Sequence, residues 1–465
     1  MSAFVHGFHA TRVRASHLAA FALLVGCAPR AQPSGSQGGA VSPERHEPVL
    51  AALDPMAGYR GAGLIVQGPP LPFVGAVRYL AGRTADSTLV LVTLSMANRS
   101  LTFVSDGSEQ RAQYAVLLDL QRGGTTAQHT EARETVRVST FKETTRSDES
   151  IVFQQFVMAA PGEYTLGITV RDQAGTNAAV QQIPVTVPRL SPGMLSSLVP
   201  VHQATPRTTL DSTPRFIANS RATVVFGRDS LAPVYVEGYG LPPDARVAVV
   251  VENDKGAPLL RDTVTLARFG SLAASVLNFP VPRMGIGRLQ IAATVVGTPD
   301  SATTPVLVTF GEDLGVMSFD ELLSYLRYYA TPERLQALRD TLPERRAEAW
   351  AAFWKSSDPT ASTAEHEGLR EYFGRIQLAN QRFTEEGGPG WLTDRGKVYI
   401  TLGEPDQLLE QGGPGVSTRG RAQVWEYGQY HAQFVFIDQT GFGRWRLTPA
   451  SEAQFQQIAR RERLH

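Results

Sequence analysis

The sequence predicts a multidomain protein in which two all-β sandwiches precede a C-terminal α+β domain, helices first and then a small antiparallel sheet. Three observations predict it. Short β-branched and aromatic runs, bounded by turn residues, fill two stretches of the chain. A Pro-rich stretch from Pro188 to Pro214 stands between them. At Ser318 the apolar period changes from two to about 3.6 residues, which is the change from strand to helix. The resulting division is residues 1–26, 27–60, 61–190, 205–311 and 316–465.

Residues 1–26 have the anatomy of a secretory signal peptide: Arg12 and Arg14, an apolar stretch from Leu18 to Val25, and the small residue Gly26 at the cleavage point. The apolar stretch is too short to span a bilayer, which takes about 20 apolar residues. Cys27 is the only cysteine, and Leu24-Val25-Gly26-Cys27 resembles the lipobox of bacterial lipoproteins. That resemblance implies acylation of the Cys27 sulfur and a membrane partner reached through an N-terminal lipid. With Ala28 rather than aspartate in second place, it implies the outer membrane of the bacterial cell envelope. Residues 27–60, rich in Ala, Pro, Gly and Ser, cannot repay the entropy of folding and read as a flexible tether.

Bulk properties bound the rest. Lys plus Arg equals Asp plus Glu at 44 each, so no global field draws the chain to nucleic acid. A single cysteine leaves no intramolecular disulfide, and the exported domains must be held by burial alone.

In the first β-rich segment, Leu89–Leu94, Tyr114–Leu120, Thr135–Ser139, Ile151–Val157 and Tyr164–Val170 each have strand length. Tyr164, Leu166, Ile168 and Val170 alternate on one face before a turn, the late hairpin of an immunoglobulin-like sandwich without its cysteine pair. The second segment holds Ala222–Phe226, Val234–Gly238, Arg246–Val251 and Leu289–Val296, and reads as a second immunoglobulin-like sandwich.

The C-terminal third opens with Ser318-Phe-Asp-Glu321, a capping box that satisfies free backbone donors at a helix start. Thr331-Pro332 starts a second helix, and Pro343 opens a third that carries Trp350, Phe353 and Trp354. A fourth begins near Ser362, paired with Glu365, and has Leu369, Tyr372, Phe373, Ile376, Ala379 and Phe383 on its apolar face. Val398, Ile400 and Leu402 then alternate as in a strand that Gly403-Glu-Pro-Asp406 ends.

Between them stands Gly390-Trp391-Leu392-Thr393-Asp394, followed by Arg395-Gly396. This run resembles the signature of the bacterial GWxTD-domain family. Trp354, Asp358-Pro359, Glu371-Tyr372, Arg375, Ala379-Asn380 and Phe383 fall where that family's helical lead-in has similar residues, and Gly403 with Pro405-Asp406 matches its following turn. Leu89 to Asp119 also resembles the family's N-terminal portion. The resemblance implies an exported envelope protein and no particular activity. Leu402-Gly-Glu-Pro-Asp406, Val424–Tyr427, Gln433–Asp438 and Arg444–Leu447 are in turn similar to the turn and strands of small SmpA/OmlA-type outer-membrane lipoproteins.

Two readings of the signature stand side by side. In one it locks a helix-to-strand junction: Trp391 is an apolar anchor, Thr393 or Asp394 caps backbone donors, and Gly396 takes a conformation closed to other residues. Asp394 or Glu371 would then pair with Arg375 or Arg395. In the other, Asp394, Arg395 and Asn380 form a ligand or partner site.

Catalytic patterns are missing. There is no GxSxG elbow, no Walker loop and no HExxH, and Cys27 is spent on acylation. His366, between Glu365 and Glu367, has no second ligand at helical spacing and reads as part of a solvated helix face, so no metal and no cofactor are expected. Asp394, Glu404 and Asp406 could supply a carboxylate pair, although turn and capping duties explain them. The expected function is a lipid-anchored, noncatalytic envelope protein that docks or assembles with an envelope protein or cell-wall partner. The alternative is an envelope hydrolase with its site at Gly390–Gly396.

Overall fold

The computed structural model describes residues 56–145, 150–309, 317–360, 366–383, 388–411 and 421–463. Cys27, the signal-peptide segment and most of the expected tether lie outside them, as do Ser362, Glu365 and Gly387.

The described chain starts sooner than a tether to residue 60 allows. A helical turn at Ala57–Gly61 buries Tyr59 against Leu64, Val74, Ala76 and Leu307. Burying an aromatic ring of this size anchors the turn to the strands beside it.

Among the described residues, nine strands make the first sandwich: β1 (Ile65–Gln67), β2 (Phe73–Ala81), β3 (Thr88–Ala97), β4 (Val104–Asp106), β5 (Glu109–Arg122), β6 (Thr125–Val138), β7 (Ser150–Ala159), β8 (Gly162–Asp172) and β9 (Ala178–Val187). One sheet has the order β1-β2-β3-β7, the other β4-β5-β8-β9, with β6 on the opposite flank of β5 from β8. Alternate residues of β5 and β8 (Tyr114, Val116, Leu118 and Leu120; Tyr164, Leu166, Ile168 and Val170) close over Val90, Val92 and Leu94 of β3 and Phe153 and Val157 of β7. β3 is buried along its whole length, because its other face, Leu89 and Leu91, packs on the second sandwich at Val199, Phe216 and Tyr235.

The second sandwich contains β10 (Val199–Thr205), β11 (Arg215–Ala218), β12 (Thr223–Val225), β13 (Leu231–Tyr239), β14 (Val247–Asn253), β15 (Pro258–Val264), β16 (Arg268–Phe269), β17 (Leu272–Pro280), β18 (Gly287–Val295) and β19 (Ser301–Thr309). Its sheets run β11-β10-β13-β17-β16 and β12-β19-β18-β14-β15. The Pro-rich stretch is therefore not all linker. β10 lies inside it and before the expected start at 205, with Val199 opposite Tyr235 and Pro200 opposite Val234. Pro200 is tolerated because it sits at the beginning of the strand.

A buried ionic knot joins the sandwiches. Arg207 donates through Nε and Nη2 to the two oxygens of Glu237, each at 2.7 Å, and Nη2 also reaches the Ala81 carbonyl of β2 at 2.7 Å. The Tyr235 and Tyr239 hydroxyls donate to the same carboxylate at 2.6 and 2.7 Å. Arg78, by contrast, donates to neutral groups, the Leu198 and Val77 carbonyls and Thr304 Oγ1, and desolvation lowers its pKa to about 10.

The C-terminal part holds α1 (Phe319–Tyr325), α2 (Pro332–Asp340), α3 (Arg346–Ser357), α4 (Glu367–Arg382) and α5 (Asp394–Leu402). The sheet β20 (Gln407–Gln411), β21 (Arg421–Tyr427), β22 (Ala432–Asp438) and β23 (Trp445–Leu447) follows in sequential order, and α6 (Pro449–Glu462) packs Phe455 onto Phe434. The capping box is formed: the Glu321 N–H donates to Ser318 Oγ at 3.2 Å and the Ser318 N–H to Glu321 Oε2 at 2.6 Å. This part shares one apolar core with the second sandwich, where Phe226 meets Trp354 edge-on at 5.7 Å.

Two local expectations are corrected. Residues 394–402 are helix, not strand, because Thr393 caps the segment and Tyr399 is buried along with Val398, Ile400 and Leu402, so burial follows the helical period. His366 is not a solvated face residue. It is the N-cap of α4, 3% exposed, and its Nδ1 accepts from the Leu369 N–H at 3.1 Å.

Candidate functional site

The run Gly390–Gly396 sits between α4 and α5. Gly390, Trp391 and Leu392 form one 3-10 turn, and Thr393 stands at the start of α5. Close packing against α4 selects Gly390: a Cβ there would lie 1.9 Å from the Ala379 carbonyl oxygen. Gly396 is chosen for the same reason and not for backbone freedom. It lies in α5 outside the left-handed region, and a Cβ would meet the Gly390 carbonyl oxygen at 1.8 Å.

Hydrogen bonds complete the knot. The Trp391 N–H donates to Asn380 Oδ1 at 3.0 Å, which ties the turn to α4. Thr393 Oγ1 donates to the Gly390 carbonyl at 2.8 Å and accepts from the Gly396 N–H at 2.9 Å. The Trp391 ring packs on Tyr325 at 4.7 Å, with the Arg327 guanidinium 4.8 Å from its centroid. These contacts bury Asn380, Trp391 and Thr393.

The charged members are paired or stacked, with Glu371 at the surface and Arg395 buried. Asp394 Oδ2 accepts from the Leu447 N–H of β23 at 2.8 Å, while Oδ1 lies 3.2 Å from Lys397 Nζ. Lys397 continues to Glu452 of α6 at 2.5 Å. Arg395 is buried between the rings of Phe383 and Trp445, at 5.0 and 5.1 Å, and reaches Gln423 Oε1 at 3.5 Å. Glu371 and Arg375 pair with each other one helical turn apart at 2.6 Å, and Arg375 also donates to the Ile400 carbonyl. Of the four ionic pairings that the sequence allowed, the structure makes the Glu371–Arg375 pair. Asp394 takes Lys397 and Leu447 instead.

The three candidate carboxylates do not converge as an acid/base pair. Glu404 meets Arg382 at 2.6 Å, and Asp406 Oδ2 accepts from the Gly428 N–H at 2.6 Å. A Ser-His contact does occur elsewhere, with Ser357 Oγ 3.0 Å from His366 Nε2. Because His366 Nδ1 accepts a backbone hydrogen bond, the neutral ring carries its proton on Nε2 and donates to Ser357, whose own proton goes to the Phe353 carbonyl at 2.8 Å. That tautomer cannot act as a base toward the serine. Among the described residues no three His, Cys, Asp or Glu side chains gather as a metal would require, and no helix is long and apolar enough to cross a membrane.

A carboxylate that the sequence reading passed over organises the far end of the sheet. Asp438 is fully buried and accepts from Thr440, Gly441 and Gly443. Burial alone would raise its pKa, yet these hydrogen bonds outweigh it and hold the carboxyl below its ordinary value. The signal was present in Asp438-Gln-Thr-Gly-Phe-Gly443, where an aspartate precedes two glycines in an Asx-type turn.

The buried Gly-Trp turn, its Thr393 cap and the Asp394 link to β23 coincide with a sequence family. The GWxTD domain model matches residues 301–446. This segment is a GWxTD domain. Its match begins at the first residue of β19 of the second sandwich and stops before α6, although α6 supplies Glu452 and Phe455 to the packing of the GWxTD domain.

No curated protein matches the chain. Among solved structures, an FMN-binding β-glucuronidase from Facaelibacterium prausnitzii L2-6 is similar at 10% identity, with 48% of this chain and 32% of that one covered and a TM-score of 0.15. A Bifidobacterium dentium β-glucuronidase complexed with coumarin-3-O-glucuronide is 9% identical over 67% of this chain and 61% of its own, at 0.18. Fibronectin(III)-like modules of Clostridium thermocellum CbhA are 14% identical over 53% and 94%, at 0.13. The chain thus spans about a third of the first structure and less than two thirds of the second. Superpositions this poor carry neither fold nor activity over to this chain.

Proposed function

We propose that the protein is a lipid-anchored, noncatalytic component of the bacterial cell envelope, held at the outer membrane through Cys27. The two sandwiches act as immunoglobulin-like spacers or docking surfaces, and the GWxTD domain is presented to an envelope protein or cell-wall partner. One observation carries the noncatalytic part: the groups of Gly390–Gly396 able to do chemistry are spent on the fold. Asp394 holds β23 and Lys397, Arg395 is stacked between two rings, and Asn380 and Thr393 satisfy backbone groups. A hydrolase centred there would need a free acid and base. The support for anchoring is the Leu24–Cys27 sequence after a short apolar stretch. Attendance on outer-membrane barrel assembly is a narrower form of the same role, suggested by the turn at Leu402–Asp406.

Fractionation of cells expressing the Cys27→Ser variant tests the anchor. The variant should leave the membrane fraction, and unchanged membrane association would sink that part. Cross-linking in intact cells followed by capture of the full-length protein tests the rest. Recovery of no reproducible protein or glycan partner would count against a docking role.

A further inference from the structure

Sheet edges are templates for further pairing, and most edges here are blunted. β1, β4, β12, β16 and β23 have at most three residues each. β9 carries Pro184 in mid-strand. β7 is covered by β11, with the Gln154 side chain bonded to the Phe216 carbonyl at 2.8 Å and the Ala218 N–H at 3.0 Å. β6 differs from all of these. It has 14 residues, no Gly or Pro and no buried residue, and among the described residues it pairs with β5 alone.

Its charges select a partner. Glu131 and Arg133 lie on the outer face and pair with each other at 3.0 Å, and Glu134 and Arg137 follow. Residues directly opposite in an antiparallel ladder must be of the same hydrogen-bonding type, so the register of a strand on its own copy can change only in steps of two. With the two-fold axis at Ala132, Glu131 faces Arg133 of the copy and Arg133 faces its Glu131, with no like charges opposed. Moving the axis one residue either way sets Glu131 against Glu131 or Arg133 against Arg133. Parallel pairing in register would oppose every charge to its like. The favoured register runs from Gln128 to Val136, clear of the irregularity opposite Leu120 and Gln121, and would form on the order of eight backbone hydrogen bonds.

The inner face fits as well. β5 residues Tyr114, Val116 and Leu118 point to the core, and their partners Glu134, Ala132 and Thr130 share that face. Beside them an open groove of about 490 Å³ runs between β6 and β7, lined by Asn98, Tyr114, Glu134 and Ile151 among others. In the same register the copy's Thr130 falls opposite Glu134 and its Gln128 opposite Val136, so polar side chains overlie a polar groove.

We propose that β6 is a homodimer edge, pairing antiparallel with β6 of a second copy about a two-fold axis at Ala132. The two first-sandwich sheets then form one continuous sheet.

Sedimentation equilibrium of the full-length Cys27→Ser protein in mild detergent, which removes any lipid-driven association, tests this. The expected result is a dimer whose dissociation constant rises about tenfold or more for Arg133→Glu and for Glu131→Arg, since like charges then face each other twice. The double exchange Glu131→Arg/Arg133→Glu should restore dimerisation, because the pairs re-form with signs reversed. Both positions are exposed, so the circular dichroism spectrum should not change, and the thermal midpoint should not move at concentrations low enough for the parent itself to be monomeric. A monomer at all concentrations would overturn the proposal. So would a dimer indifferent to the single exchanges, or a β6 edge that binds another protein's strand while the chain itself stays monomeric.

Discussion

Arg207 and Arg395 are both buried guanidinium groups, one in the joint between the sandwiches and the other in the GWxTD domain, and they are held in different ways. Arg207 is clamped by a bidentate carboxylate, two carbonyls and the tyrosines that share Glu237. Arg395 lies between Phe383 and Trp445 and makes a long contact with Gln423. The first arrangement is directional and fixes how one sandwich sits on another, since its donors reach both. The second sets a planar cation between two rings inside one domain. An ion pair with Glu237 marks the joint, and two flanking rings mark the interior site.

Breaking the joint should have the largest effect. Glu237→Gln removes the charge that balances Arg207 in a site from which solvent is excluded, with side-chain exposures of 1% and 0%. The expected loss is about 3–5 kcal/mol, read as a lower denaturant midpoint. A loss under about 1 kcal/mol would mean that the joint is not held by this pair. Next is Gly396→Ala, which puts a methyl group against the Gly390 carbonyl. Overpacking of this kind costs about 1–3 kcal/mol and more where backbone must move, and intrinsic Trp fluorescence should report it because Trp391 shares the turn.

Arg395→Lys sharpens the contrast. A lysine keeps the charge but cannot stack between two rings, and the expected cost is about 1–2 kcal/mol. A variant as stable as the parent would show that charge, and not planar stacking, is what the site uses.

The smallest effect is a dependence on pH. Burial lowers the pKa of His366 below its ordinary value of 6.5, with Asp358 opposing the shift. The unfolded chain therefore takes up a proton first as pH falls. The His366 contribution is complete above about 6.5 and is lost progressively as pH drops toward the folded value. His366→Asn keeps an N-cap acceptor without titrating, so the midpoint difference between parent and variant should shrink from pH 7.5 to pH 5.5. His202, also lowered by burial, remains in both proteins and cancels in the comparison. A difference that does not change with pH would show that His366 is not the titrating group.

Local signals were legible where their causes are local. Ser318 and Glu321 stand three residues apart and form the capping box that their spacing implies. The alternation of Tyr164 to Val170 is the buried face of β8. Val398-Tyr-Ile-Thr-Leu402 misled, because β-branched residues in alternation suggest a strand while the Thr393 cap and the burial of Tyr399 impose a helix. Neighbouring residues also gave no means to see that His366 would be buried under Trp354 and Tyr329.

By itself the sequence determined the class of the fold, the start of the helical part at Ser318 and the position of the Gly390–Gly396 turn. These follow from periodicity, caps and steric demands acting within a few residues. Only the tertiary structure decided that Gly396 is needed for close approach, that Asp394 serves β23, that Arg207 clasps Glu237 and Ala81, and that β6 pairs on one side only among the described residues. Those outcomes depend on groups far apart in the chain: Arg207 and Ala81 are 126 residues apart, and Asp394 and Leu447 are 53. The physical reason is that burial sets the strength of a charge or a hydrogen bond, and burial exists only once distant segments have packed.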